Sequence, residues 1–391
     1  MQQSAAAKGA LSARKIFSVV GLAAVVWPKS GITRLPGPLM RALLIPIIVL
    51  PLLPLLPQAS AAPPLAISQL ADQAGAIQPL ETLIIARDGQ ILAERGYRGH
   101  RTTSATNIKS ASKTVISALV GIAIDKGILT GSDQKVAGLL EKELPANPDP
   151  RFGRLTLGHL LSMQAGLGST SGPGYGAWVS SRNWVRAALA RPFQDQPGGA
   201  MIYSTGSTHL LSAILTRRTG KSTLALARDW LGPLSGFTIA NWARDPQGIY
   251  LGGNEMAMSP RSLLAFGELY RSGGVTPQGQ RLLSEQWIRS SWQTRTHSVY
   301  TGDGYGYGWF HTRIADRDVH YAWGFGGQML YIVPSLKLTV VMTSDGTTSA
   351  ARSGHRYRLY QLLGEIINLI TAHGADNAAG KPDMHRAYDN G

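Results

Sequence analysis

Residues Ile108–Lys126 read IKSASKTVISALVGIAIDK, and the fold is decided by how this stretch is read. Apolar residues at Val115, Ile116, Leu119, Val120, Ile122, Ala123 and Ile124 fill more than one stripe of a helical period. That predicts a helix buried on most of its sides. Gly127 follows Asp125-Lys126 and suits a helix C-cap. Ser110 is then expected in the first turn, among unpaired backbone N–H groups and at the positive end of the helix dipole. Lys113 stands one turn on, and side chains at i and i+3 share a face. A nucleophile, a base and an anion-stabilising helix end fall in one place. Ser-x-x-Lys also arises by chance, with the serine a simple N-cap. A lysine among buried helical faces is nevertheless costly without a partner or a task.

The chain has 391 residues, 44% hydrophobic and 16% charged, enough for a sizeable core in one large domain or two lobes. It contains no cysteine, which excludes disulfides, thiol catalysis, Cys-ligated zinc and a lipidated N-terminal cysteine. The formal charge is +15, of which residues 1–61 supply six cations and no acid, leaving +9 for the remainder. Those basic residues form no long run, so nucleic-acid binding is not expected, and attraction to anionic surfaces is the milder inference.

Residues 42–56 (ALLIPIIVLPLLPLL) follow Met40-Arg41, and Ala59-Ser60-Ala61 gives the small-x-small pattern of a signal-peptidase site. Residues 1–61 therefore read as a signal peptide or leader. Translation from Met40 would make it a compact one. The protein is expected to be exported, to the periplasm or the medium. Pro46, Pro51 and Pro54 and the shortness of the run argue against a spanning helix. The alternative is membrane association through an uncleaved anchor at residues 42–57.

Leu80–Ala86 and Ile91–Tyr97 flank an Asp88-Gly89 turn and predict a β-hairpin. Far along the chain, Tyr305–His311, Val319–Trp323, Met329–Pro334 and Lys337–Thr343 are strand-like. Arg356–Thr371 reads as an amphipathic closing helix. Between them, helices are expected at Gln134–Leu140, Leu157–Met163, Arg182–Ala190, Ser207–Thr219, Leu224–Leu231, Pro260–Ser272 and Ser284–Thr294. The expectation is an α+β domain at residues 62–391, with an antiparallel sheet flanked by helices. Its sheet lobe would be residues 62–127 and 295–372, its mostly helical lobe 128–294, and a disordered tail would follow from 373. A cleft between lobes is the natural substrate site.

Two further segments carry chemistry. Tyr203-Ser204-Thr205 follows the loop Gln196-Pro197-Gly198-Gly199 and precedes a helix, where a tyrosine can face the cleft or be an ordinary half-buried residue. Ala322-Trp323-Gly324-Phe325-Gly326-Gly327-Gln328 offers glycines that let a backbone approach a ligand, or that simply make a bulge. The nine histidines are dispersed and His-Glu-x-x-His is absent, so no metal and no cofactor are expected. His159 reads as a core or capping residue. Gly168-Ser-Thr-Ser-Gly172 has Thr170 where a nucleophile elbow needs serine.

The three segments resemble, in order, the motifs of the serine β-lactamase-like family. Within it the chain most resembles the branch of class C β-lactamases, family VIII esterases and 6-aminohexanoate-dimer hydrolases. The likeness runs from about Leu80 to Leu369 and includes LTLGHLLSMQAGL (Leu155–Leu167), PGGAMIYSTGSTHLLSAIL (Pro197–Leu215), MSPRSLLAFGELY (Met258–Tyr270) and AWGFGGQMLYIVP (Ala322–Pro334). It implies a β-lactamase/transpeptidase-like fold, Ser110 as the acylated serine, Lys113 as its lysine and Tyr203 as the tyrosine of Tyr-x-Asn. Trp323-Gly324 would match the Lys-Thr-Gly strand. Thr205 stands where the family has Asn, and no lysine occupies the third motif. That lysine binds carboxylates of β-lactams and D-Ala-D-Ala peptides. Its absence favours an uncharged ester or small amide, unless Arg352 or Arg356 replaces it.

Chemically, the Ser110 proton must go to Lys113, if burial leaves it neutral, or to Tyr203, if a charged Lys113 lowers the tyrosine. The oxyanion would be held by the N–H of Ser110 and one near Phe325. Two rivals remain: a β-lactamase or D-amino-peptide hydrolase, and a catalytically silent penicillin-binding-like module.

Overall fold

The computed structural model describes residues 65–347 and 354–379. The expected leader, its cleavage site and the last twelve residues lie outside them. Near the start, α1 (Leu65–Gln73) leads into the hairpin β1 (Leu80–Arg87) and β2 (Gln90–Gly96). Asp88 and Gly89 both take positive φ, 50° and 80°, the geometry of a two-residue turn matched to strand twist. A short β3 (Thr106–Asn107) and a 3-10 turn (Lys109–Ser112) precede α2 (Lys113–Asp125). Every residue of α2 from Lys113 to Ala123 is buried, as its all-round apolar pattern requires.

The helical part follows with α3 (Leu157–Leu161), α4 (Tyr175–Val179), α5 (Trp184–Leu189), α6 (Thr205–Thr219) and α7 (Thr223–Leu231). Short strands β4 (Asn241–Trp242) and β5 (Met256–Met258) come next, then α8 (Pro260–Arg271) and α9 (Glu285–Trp292). The chain returns to the sheet through β6 (Thr296–His297), β7 (Gly304–Tyr305), β8 (Phe310–Ile314), β9 (Arg317–Gly324), β10 (Gln328–Val333) and β11 (Leu338–Ser344), and closes with α10 (His355–Ala379).

The main sheet has the order β2-β1-β11-β10-β9-β8-β7-β6 and is antiparallel throughout. Its alternation sorts side chains to two cores. Ile84, Leu330, Ile332 and Val341 face the helical side with α2 and α8. Leu83, Ile85, Met329, Tyr331, Val340 and Met342 face α1 and α10. With both faces covered, β10 and β11 are buried along their whole lengths, hence their unbroken apolar runs. A second sheet, β3-β5-β4, ties the loop before β5 to the turn that carries Ser110.

Several expectations need correction. Gln134–Leu140 is not helical. It pairs sideways with residues 155–157, Val136 N–H donating to Leu155 O (2.9 Å) and Leu157 N–H to Gln134 O (3.0 Å). The expected strand Tyr305–His311 is a hairpin, because the chain reverses where Gly306 N–H donates to Trp309 O. The closing helix continues past Thr371 to Ala379. Among the described residues no helix is long and apolar enough to cross a membrane.

Candidate active site

Ser110 does not sit in the first α-helical turn. It occupies the 3-10 turn just before α2, whose first residue is Lys113. The corner into that turn is strained, with Lys109 at φ 50°. Asn107 Oδ1 accepts from Lys109 N–H (2.9 Å), and Glu255 ties the corner down, its carboxylate meeting Lys109 Nζ (3.2 Å) and Asn107 Nδ2 (2.6 Å). A left-handed non-glycine residue costs about 1–3 kcal/mol and persists where neighbours over-determine it.

Lys113 is 1% exposed. Its Nζ lies 3.1 Å from Ser110 Oγ, 3.3 Å from Thr205 Oγ1 and 2.6 Å from the Gly253 carbonyl. Burial without a carboxylate partner pulls its pKa down from 10.5 to about 7. The neutral amine is fully satisfied here. It donates to Gly253 O and Thr205 Oγ1 and keeps a lone pair for the Ser110 hydroxyl. Gly253 has φ +83°, and a Cβ there would stand 2.5 Å from Lys113 Cγ and from Thr208 Oγ1, so a side chain would displace the lysine.

Tyr203 is half-buried, its ring centroid 5.1 Å from Lys113 Nζ and its edge against Tyr300 and Tyr305. Burial raises the phenol well above its ordinary value, opposed by a hydrogen bond with Ser110. The serine is thus flanked by a phenol that keeps its proton and an amine that titrates near neutrality.

The N-terminus of α6 is laced to the segment Ser169-Thr170-Ser171, residue by residue. Ser169 Oγ donates to Tyr203 O (2.7 Å), Thr170 Oγ1 meets Ser204 Oγ (3.0 Å), and Ser171 Oγ meets Thr205 Oγ1 (3.0 Å) while accepting from Thr205 N–H (2.9 Å). This fixes Tyr203 and Thr205 against Lys113.

At the third motif, Trp323 and Gly324 end β9. A Cβ on Gly324 would stand 2.2 Å from the Ile108 carbonyl oxygen, so only glycine lets this strand end lie against the backbone leading to Ser110. Phe325 follows in the turn and is exposed. Arg356 packs its guanidinium over the Trp323 ring, 5.3 Å from the centroid, with Asp303 Oδ2 at 3.9 Å. It does not line the cleft. Arg352 lies outside the described residues.

The cleft that results has a volume of about 500 Å³. Tyr175, Tyr203, Tyr300, Trp323 and Phe325 form its aromatic walls, and Ser110, Ser171, Thr205 and Asn254 its polar groups. A groove of about 650 Å³ between Gly89–Ile91 and α8 is larger but lacks a serine–lysine pair. Ser110, Tyr203, Thr205, Trp323 and Phe325 all line this cleft, Lys113 is buried in contact with Ser110 and Thr205, and Gly324 lies against the backbone leading to Ser110. Sequence reasoning passed over Ser171, Gly253, Asn254, Tyr175 and Tyr300. The hydroxyl run at residues 169–171 was the one visible signal. His159 caps α3 by reciprocal bonds with Thr156, as expected.

A comparison with curated proteins found no match. Solved structures match over most of the fold. A Bacillus anthracis protein provisionally assigned as a 6-aminohexanoate-dimer hydrolase shares 19% identity at a TM-score of 0.62, covering 77% of this chain and 81% of its own. EstCE1, described as a hydrolase with promiscuous acyltransferase activity, shares 19% identity at 0.59 and is covered over 98%, against 76% here. A D-stereospecific amidohydrolase from Streptomyces sp. shares 17% identity at 0.55, covering 74% of this chain and 98% of its own. Likeness at such identities shows the fold, that of β-lactamases and penicillin-binding proteins. The Beta-lactamase family model matches residues 75–365, most of the sequence, and the chain belongs to that family of serine hydrolases.

Proposed function

We propose that the chain hydrolyses an uncharged carboxylic ester or small amide through an acyl-Ser110 intermediate. The observation that carries this reading is the 3.1 Å contact between Ser110 Oγ and a buried Lys113, opening on an aromatic cleft that no cation among the described residues lines. Near pH 7 about half of Lys113 is the free amine, given its pKa. It takes the Ser110 proton as Oγ attacks the carbonyl carbon. Tyr203, a poor base because its phenol is held above its usual range, acts as a hydrogen-bond partner that aims Ser110. The N–H groups of Ser110 and Phe325 receive the oxyanion, and one such donor contributes roughly 10²–10³ in rate. Water then clears the acyl group with Lys113 as base.

The names of the three structural neighbours described above fit ester or amide chemistry, while others are named as a β-lactamase or a penicillin-binding protein homologue. A β-lactamase reading is disfavoured because a desolvated ligand carboxylate is held most strongly by a cation, and Arg356 is turned onto Trp323 and Asp303. The Ser110–Lys113 contact speaks against a silent binding module. Comparing kcat/KM for p-nitrophenyl butyrate and nitrocefin on one preparation tests the reading. The ester should exceed nitrocefin at least tenfold, and a nitrocefin value equal or higher would overturn it.

We also propose export, on the basis of Arg41, the apolar run 42–56 and Ala59-x-Ala61. N-terminal sequencing of protein from its host should begin at Ala62. A mature chain retaining residues 42–56 would indicate an anchor instead.

A further inference from the structure

The structure assigns to Thr205 and Ser171 a hydroxyl path that carries the Lys113 proton to the leaving group, and this rests on the acyl-serine reading above. Lys113 Nζ has three hydrogen-bond partners. Ser110 is the proton's source during acylation. The Gly253 carbonyl accepts but has no proton to pass on. Thr205 is the remaining partner, and a hydroxyl both accepts and donates. Its own neighbour is Ser171 Oγ at 3.0 Å, and Ser171 lines the cleft. Either hydroxyl can be the donor between Thr205 and Ser171, and one of the two orientations serves transfer. Thr205 N–H donates to Ser171 Oγ at 2.9 Å, and Lys113 donates to Thr205 Oγ1. In that orientation the Thr205 hydroxyl donates to Ser171, and the Ser171 hydroxyl hydrogen faces the cleft. Tyr203 presents its ring to Lys113 rather than joining this chain, with Nζ 5.1 Å from the centroid.

The step balances. Ser110 gives its proton to Lys113 as the Oγ–carbon bond forms. When the tetrahedral intermediate collapses, the bond to the leaving oxygen breaks and that oxygen takes the Ser171 proton. Ser171 recovers one from Thr205, and Thr205 from the Lys113 ammonium. The departing alcohol leaves with one proton, matching the one Ser110 lost, and Lys113 is neutral again. Thr205 in place of the family's Asn is what makes this path available, since a carboxamide cannot pass a proton along so readily.

General-acid assistance matters most for a poor leaving group and contributes about 10²–10⁴ where it operates. The test measures kcat/KM for ethyl butyrate and p-nitrophenyl butyrate with the full chain, Ser171→Ala and Thr205→Val. The ethyl-to-nitrophenyl ratio should fall at least tenfold in each variant, since nitrophenolate leaves without a proton. A ratio within about twofold of the unaltered chain in either variant, whatever the absolute loss, would overturn the path, because misplacement alone affects both esters alike. Two variants guard against one failing to fold. Hydrolysis of neither ester by the unaltered chain would remove the acyl-serine reading itself.

Discussion

In the proposed mechanism Lys113 sets the pH behaviour of the site. Its pKa is about 7 in the folded chain against 10.5 as an ordinary lysine, and burial is the cause. As pH falls through 7 the amine is protonated and the base is lost. We expect kcat/KM to drop about tenfold per unit below that point and level above it. A profile without an inflection between about pH 6 and 8 would contradict Lys113 as base. Stability follows the same shift. Between pH 7 and 10.5 the unfolded chain holds a proton that the folded chain has released, so stability rises with pH across that window. The destabilisation is fully present below 7 and gone above 10.5. Relative to Lys113→Met, the native chain should gain up to about 4 kcal/mol from pH 7 to 10. Denaturant unfolding of both at the two pH values measures this, and parallel pH dependences would contradict it. The Ser110–Lys113 pair was legible because three positions apart on a helical path means one face. Ser171 and Gly253 were not, since tertiary packing brings them from 61 and 140 positions away in the sequence.

The elements place the site through close backbone approaches. β9 ends at Gly324, against the Ile108 carbonyl and beside Gln328, whose Cβ would be 2.8 Å from an added methyl. Gly324→Ala must push the strand end away from the Ser110 turn. The expected cost is about 2 kcal/mol of stability, as for overpacking elsewhere, and roughly 10²-fold in kcat/KM, as a shift near 1 Å can produce. Thermal unfolding and ester kinetics check both, and a variant as active as the parent would mean that this contact does not position the oxyanion site. The glycine run was visible in sequence, but not what it approaches. Long periodic elements such as α2, α6 and α8 were readable to within a few residues. The two-residue strands β3, β4, β6 and β7 were not, because no period can be seen in two residues and their pairing is set by distant partners. Gln134–Leu140 failed for the same reason, its helical spacing yielding to lateral bonds with residues 155–157.

For the molecule as a whole, the two ends of the described chain build one framework. β1 pairs along its length with β11, Ile84 opposite Val341, and α1 and α10 share the core on the outer face of the sheet. The helical lobe packs on the other face and lends the cleft Thr205, Ser171 and Tyr175. Strand-rich runs at both chain ends revealed this split design in the sequence. The strand order did not emerge there, since the β1–β11 register joins residues with no local signal between them. On the proposed function, this framework presents Ser110 as an acylated nucleophile. Labelling with a fluorophosphonate, followed by peptide mass spectrometry, tests it most directly. A single adduct on Ser110 is expected, lost in Ser110→Ala together with ester turnover while the unfolding transition is unchanged. An adduct on another residue, or undiminished hydrolysis by Ser110→Ala, would contradict it.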